Sequence, residues 1–208
     1  MILTKSILVN GSNTASQTII FAHGAGSGKE HPFMTAFAEK LASRGFRVIR
    51  FDFPYMMRAR EIGKRCLPDK QAVLVQAWQN MIESVDAEKV IIGGKSLGGR
   101  IASLVTDMAQ VQGLVCLGYP FHAPGKPEKP RTEHLLTLAT PTLICQGTRD
   151  PFGRKDEVET YRFSSAIKLQ WIEDGEHSFK PRKKSGRTEE QNINIAVNAI
   201  EKFSIALY

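Results

Sequence analysis

The sequence predicts an α/β fold: a doubly wound, mostly parallel sheet with helices on both faces, minimal and without a large cap domain. Three observations carry that expectation. Apolar runs of strand length recur along the chain, segments of helical period separate them, and the chemically reactive side chains fall just after the apolar runs. Near-continuous apolar strands are the mark of a parallel sheet covered on both faces, and such sheets gather function beyond their carboxyl ends. At 208 residues the expectation is one domain over residues 1–208, long enough to bury a sizeable core.

In order, Ser6-Ile7-Leu8-Val9 reads as a first strand, ended by the turn dipeptide Asn10-Gly11. Thr18-Ile19-Ile20-Phe21-Ala22 is a buried strand that delivers His23-Gly24-Ala25-Gly26-Ser27-Gly28. Residues 32–43 follow as a helix with Phe33, Phe37, Ala38 and Leu41 on one face, closed by Gly45. Arg47-Val48-Ile49-Arg50-Phe51 is the next strand and runs into Asp52-Phe53-Pro54-Tyr55-Met56. Asp69 is placed to cap a long helix through Val85, with Val73, Ala77, Met81 and Val85 as its apolar stripe. Further strands are expected at residues 89–92, 113–117, 142–145 and 168–172, and a final helix at residues 189–206.

Composition excludes several classes. The formal net charge of +7 is concentrated at residues 58–65 and 180–187. Neither stretch is interleaved with aromatics or set in a nucleic-acid motif, so they read as solvated loops and no nucleic-acid partner is expected. No run reaches transmembrane length and the first residues lack the pattern of a signal peptide, so the expectation is a cytoplasmic protein with no membrane partner. Cys66, Cys116 and Cys145 lack metal-ligand spacing, and no metal site is expected.

The chain is organised around Lys89-Val90-Ile91-Ile92-Gly93-Gly94-Lys95-Ser96-Leu97-Gly98-Gly99-Arg100. A β-branched run enters Gly-x-Ser-x-Gly and a helical pattern leaves it, the setting of a nucleophile elbow. Ser96 must then occupy a strained turn, with glycine two positions to each side because a side chain would strike its neighbours. A phosphate-binding loop ending in Gly94-Lys95-Ser96 is excluded, because it needs glycine where the chain has Lys89.

A serine hydroxyl needs a base, and the base needs an orienting carboxylate. His177 and Asp150, each just after a strand, are the candidates, and the order Ser96, Asp150, His177 suits the strand-end context. Asp174 and Glu176 are rival acids but sit too near His177 in sequence to reach its ring from behind, and His122 is a rival histidine better read as a pocket wall or surface residue. His31 and His134 read as helix-flanking residues and His23 as a loop brace. Backbone N–H groups of Ala25 and Leu97 are the candidate oxyanion donors. Phe53, Tyr55, Met56, Tyr119 and Phe121 are candidate pocket walls, each equally readable as core. For Lys95 the favoured reading is a structural pairing with a nearby carboxylate.

Three of these stretches carry a resemblance. His23-Gly24-Ala25-Gly26, Arg50-Phe51-Asp52-Phe53-Pro54-Tyr55-Met56 and Gly93-Gly94-Lys95-Ser96-Leu97-Gly98-Gly99-Arg100 resemble small α/β-hydrolase-fold proteins. They resemble most the branch of testis-expressed and NSL-complex-subunit type proteins with their bacterial relatives, near the dienelactone hydrolases. The resemblance implies a Ser96-Asp150-His177 triad, an oxyanion hole at Ala25 and Leu97, and ester hydrolysis without a cofactor. Dienelactone hydrolases proper use cysteine where this chain has Ser96, so their substrate does not carry over.

Residues 118–140 are too short and too rich in proline for a multi-helix lid, so an open site is expected. The leading expectation is a serine hydrolase of carboxylic ester or thioester bonds in small molecules. Lys180, Arg182, Lys183 and Lys184 would attract an anionic substrate. The alternative is a non-catalytic binding or scaffold protein that retains the fold, and a peptidase is a weaker third.

Overall fold

In the computed structural model, which describes residues 7–207, seven strands form one sheet. They are β1 (Ile7–Asn10), β2 (Thr18–Ala22), β3 (Arg47–Phe51), β4 (Val90–Lys95), β5 (Gly113–Leu117), β6 (Thr142–Gly147) and β7 (Ile167–Ile172). Their spatial order is β1-β3-β2-β4-β5-β6-β7. Only β1 is antiparallel, setting Ile7 opposite Phe51 and Asn10 opposite Val48. The other neighbours pair in parallel, as the apolar runs predict. Ser6, expected to open the first strand, lies outside the described residues.

Helices cover both faces because the central strands are apolar on both. Ile19 and Phe21 of β2 pack on one side with α1 (Pro32–Ala42) and α6 (Glu189–Ile205). Ile20 and Ala22 pack on the other with α3 (Gln71–Glu83) and α4 (Leu97–Val105). Side chains alternate across a strand, so one unbroken run supplies both cores. In α1, Pro32 opens the helix, His31 Nδ1 accepts the Phe33 N–H, and Phe33, Met34, Phe37, Ala38 and Leu41 are buried. In α6 a capping box joins Thr188 to Gln191.

The second helical region departs from expectation in two ways. Residues after β3 form an additional helix, α2 (Pro54–Ile62), with Tyr55 as its buried residue. Then α3 begins at Gln71 with Lys70 as its cap, while Asp69 accepts instead from Arg58 Nη2 at 2.5 Å. Its inward stripe is Leu74, Trp78 and Met81, and Val73 faces solvent. Trp78 decides the rotation: its indole is fully buried against Phe51, and its Nε1 donates to Gly98 O at 3.3 Å. A large ring with one polar atom is held by satisfying that atom inside the core. It also props the start of α4. A short helix α5 (Lys155–Val158) follows β6.

Between β5 and β6, residues 118–141 contain one 3-10 turn, Glu133–Leu136, and no cap helices.

Candidate active site

The strand ends converge at Ser96. Its φ of 50° and ψ of −113° put it outside the comfortable regions for a side-chain-bearing residue, between the last residue of β4 and the first of α4. Two hydrogen bonds hold that conformation: Ser96 N–H to Leu117 O at 3.0 Å and Arg100 N–H to Ser96 O at 2.9 Å. The flanking glycines are steric requirements. A β-carbon at Gly94 would lie 2.1 Å from Ala22 O, and one at Gly98 would lie 2.2 Å from the same oxygen. The helix therefore comes closer to β2 than any side chain permits.

Beyond β6, Asp150 is fully buried, and its Oδ2 lies 2.8 Å from His177 Nδ1. Asp150 is fixed from two more directions, by the Phe152 N–H on Oδ1 at 2.9 Å and by Gln146 Nε2 on Oδ2 at 3.0 Å. Gln146, also fully buried, accepts the Tyr119 N–H and shares its amide protons with Tyr119 O and Gly153 O. Gln146 is not among the residues expected at the site from the sequence. Its signal was a lone polar side chain closing the apolar run of β6, four positions before Asp150.

The His177 ring, with Phe152 packed on it at 4.3 Å between centroids, has its Nδ1 committed to Asp150 and its Nε2 left for the cleft. Burial lowers its pKa below the ordinary 6.5; the Asp150 hydrogen bond opposes the shift and the Lys95 charge reinforces it. The neutral ring that results at neutral pH is the form able to accept a proton. Asp174 and Glu176 are occupied elsewhere, Asp174 with Arg149 and Arg182 and Glu176 with the Ser178 N–H. His122 is buried against Glu157 and does not border the cleft.

Lys95 has a different partner from the one expected. Its buried Nζ donates to the backbone oxygen of His177 at 2.5 Å and stands 5.5 Å from the Phe33 ring centre. Among the described residues it makes no ion pair. Burial pushes its pKa down to about 7, against the pull of Asp150 and Glu176. Gly118, at φ 64°, makes room for this contact: a β-carbon there would lie 2.9 Å from Lys95 Nζ and 2.7 Å from His177 O.

The loop after β2 is braced by His23. Its Nε2 accepts the Phe53 N–H at 3.0 Å, so the proton sits on Nδ1, which donates to Gly24 O at 2.8 Å. That tautomer is neutral, and burial lowers the His23 pKa accordingly, so its 3.7 Å approach to Asp52 is no ion pair. Asp52 instead accepts from Lys29 N and Nζ at 2.8 and 2.9 Å and from Arg60 Nε at 2.8 Å. Burial works to raise the Asp52 pKa, but the Lys29 hydrogen bonds and charge outweigh it and the net shift is downward. Arg50 Nη1 also donates to Lys29 O. The loop carrying Ala25 is thereby tied to the end of β3. Leu97, the first residue of α4, has a backbone N–H with no intrahelical acceptor.

Ala25, Ser96, Leu97 and His177 border one open cleft of about 540 Å³, together with His31, Phe33, Met34, Pro68, Lys95, Pro120, Arg131 and Phe152. The aromatics expected as walls are not among them. Phe53, Tyr55, Tyr119 and Phe121 have no exposed surface and belong to the core, and Met56 packs half-buried against that core. Their side chains join the core cluster on the α3 and α4 face of the sheet. Lys180, Arg182, Lys183 and Lys184 do not border the cleft either; Arg182 is held by Asp174. A larger depression of about 660 Å³, between α2 and α3, is lined by no serine, cysteine or histidine. Among the described residues no group of three His, Cys, Asp or Glu could hold a metal ion, and no helix is long and apolar enough to cross a membrane.

This fold and this arrangement at the strand ends define the class. The chain belongs to the alpha/beta hydrolase domain family, whose model matches residues 15–205. Among solved structures it resembles an alpha-beta serine hydrolase homologue from Coxiella burnetii, with TM-score 0.71 and 20% identity over 92% of this chain and 90% of that one. It also resembles XC6422 from Xanthomonas campestris, a member of the serine hydrolases without a lid (TM-score 0.68, 16% identity, 95% and 88% covered). Est1E from Butyrivibrio proteoclasticus matches with TM-score 0.66 and 16% identity over 96% and 94%. At these identities the likeness is one of fold. In sequence, the quorum-quenching protein AidA of Acinetobacter baumannii is 28% identical over 92 residues, which is 42% of this chain and 30% of that protein.

Proposed function

We propose that the protein is a cytoplasmic serine hydrolase that cleaves carboxylic ester or thioester bonds in small substrates through an acyl-Ser96 intermediate. The observation that carries the proposal is the 2.8 Å link from Asp150 to His177, whose other ring nitrogen is left for the cleft that Ser96 borders. In this reading His177 Nε2 takes the Ser96 proton as Oγ attacks the substrate carbonyl carbon, and Asp150 stabilises the imidazolium. The N–H groups of Ala25 and Leu97 receive the oxyanion. Collapse of the tetrahedral intermediate breaks the bond to the leaving group, which takes the proton from His177. Water then attacks the acyl-enzyme with His177 again as base, giving the acid and restoring Ser96.

The open cleft, with no cap between β5 and β6, favours short acyl groups over long lipids. Within the family we place the chain in the testis-expressed and NSL-complex-subunit type branch, on the strength of its elbow with Lys95 and its Phe53-Pro54-Tyr55-Met56 stretch.

Steady-state hydrolysis of 4-nitrophenyl acetate and butyrate by wild type, Ser96→Ala and His177→Gln tests the proposal. Turnover by wild type that falls at least 1000-fold in both variants is expected. Equal rates in all three would overturn it, and no turnover by folded wild type would favour a binding or scaffold role.

A further inference from the structure

The cleft is bordered by basic side chains, and one of them, a guanidinium, is unused. Lys95, Arg131, His31 and His177 border it, and no aspartate or glutamate does. Three of the four are already engaged: His177 Nδ1 with Asp150, Lys95 Nζ with His177 O, and His31 Nδ1 with the Phe33 N–H. The Arg131 guanidinium has no hydrogen bond and no ion pair among the described residues. Arg50, Arg60, Arg149 and Arg182 all have acceptors.

The backbone of Arg131 is far from loose. Its N–H donates to Phe121 O at 2.6 Å, and its carbonyl accepts the Tyr119 hydroxyl at 3.0 Å. Both anchors are fully buried. Two core aromatics thus clamp the main chain on either side of a side chain that is left without a partner at the cleft. The segment leading to it is tied too, by an isolated bridge between Ala123 and Lys126 and by the bond from Lys129 N–H to Lys126 O. An unpartnered guanidinium at a cleft bordered by no carboxylate leaves a positive potential that an anion would neutralise.

We infer that the substrate carries a carboxylate in addition to its scissile ester or thioester bond, and that Arg131 binds it. This rests on the hydrolase reading of the same site and adds the chemical class of its substrate. A guanidinium presents parallel N–H donors that match a carboxylate in two hydrogen bonds, which fixes orientation as well as charge. The role fits Arg131 better than Lys95, whose buried Nζ is anchored to the His177 carbonyl and offers no planar pair of donors. Volume agrees: about 540 Å³ is the size of a small-molecule site and accommodates an acyl group with a second functional group.

Matched substrate pairs test the inference. One pair is 4-acetoxybenzoate and its neutral amide, 4-acetoxybenzamide. The other is the mono-4-nitrophenyl ester of adipic acid and its methyl ester, so that the charge sits on the leaving group in one pair and on the acyl group in the other. Expected is a kcat/KM at least tenfold higher for the anionic member of one pair in wild type, a preference that weakens with added salt. Arg131→Gln is expected to collapse that ratio towards one through KM. An anionic-to-neutral ratio near one in both pairs, or a ratio that Arg131→Gln leaves intact, overturns the carboxylate assignment while ester turnover itself upholds the hydrolase. A preference for 4-acetoxyphenyl phosphate with no preference for either carboxylate also overturns it. Absence of turnover with every ester overturns both readings together.

Discussion

Replacing Lys95 by methionine separates its charge from its bulk and predicts a specific change in pH dependence. A β-carbon on Gly118 would lie 2.9 Å from Lys95 Nζ and 3.3 Å from His177 Nδ1, so those two nitrogens are within about 6 Å of each other. Unit charges about 6 Å apart at an effective dielectric of about 20 to 40 repel by about 1.4–2.8 kcal/mol, or about 1–2 pH units. In the proposed mechanism His177 must be neutral to act as base, so activity should be full above its pKa and lost as pH falls through it. In wild type that pKa lies below 6.5, and Lys95, at about 7, is mostly protonated where the loss occurs. Lys95→Met removes the repulsion, so the acid limb of kcat/KM should move up by about 1–2 pH units. The assay is kcat/KM for 4-nitrophenyl acetate between pH 4.5 and 8.5. An acid limb that stays in place or moves to lower pH would refute the coupling between the two side chains.

Three further outcomes follow from the same geometry. Gln146→Ala leaves Asp150 with one fewer donor and strands the Tyr119 N–H; kcat should fall roughly 10–100-fold with little change in KM, and an unchanged kcat would exclude Gln146 as an organiser of Asp150. Gly98→Ala puts a β-carbon 2.2 Å from Ala22 O, so a loss of more than about 3 kcal/mol should show in urea unfolding; wild-type stability in that variant would contradict the close approach of α4 to β2. Asp52 has its pKa lowered on folding, so its stabilisation is present above the unfolded value of 3.8 and lost as pH falls through the folded one. Asp52→Asn should therefore cost about 3 kcal/mol at pH 7, and its urea midpoint should approach that of wild type as the pH falls below 3.8. Parallel curves at all pH values would count against the Lys29–Asp52 contact.

What was legible in the sequence had a strong local cause. The buried strands announced themselves because both faces are covered, and the elbow because Gly94 and Gly98 have no tolerable substitute. Asp150 and His177 stand out as polar residues just beyond apolar runs, and the fold brings their side chains to 2.8 Å from each other. What was not legible depended on rotation or on main-chain partners. Val73, Ala77 and Met81 have the helical spacing of an inward stripe, yet Trp78 supplies more surface to bury and turns α3 towards Leu74 and Trp78. Tyr55 alone faces inward from α2, so Pro54–Ile62 showed too little apolar period to read as a helix. Phe53, Tyr55, Tyr119 and Phe121 have the sequence position of cleft walls, but a strand-end loop can send its side chains either way, and these four fill the core. The partner of Lys95 is a carbonyl, which every residue possesses, so no residue type could point to it.

The central claim is that Ser96 is a nucleophile activated by His177. Intact-mass spectrometry after incubation with a fluorophosphonate tests it most directly, since the reagent phosphonylates an activated serine and leaves ordinary serines untouched. The account predicts a single adduct on wild type, mapped to the peptide containing Ser96, absent from Ser96→Ala and slowed at least 100-fold in His177→Gln. Folded wild-type protein that takes up no label, or that is labelled equally well without Ser96, would contradict it.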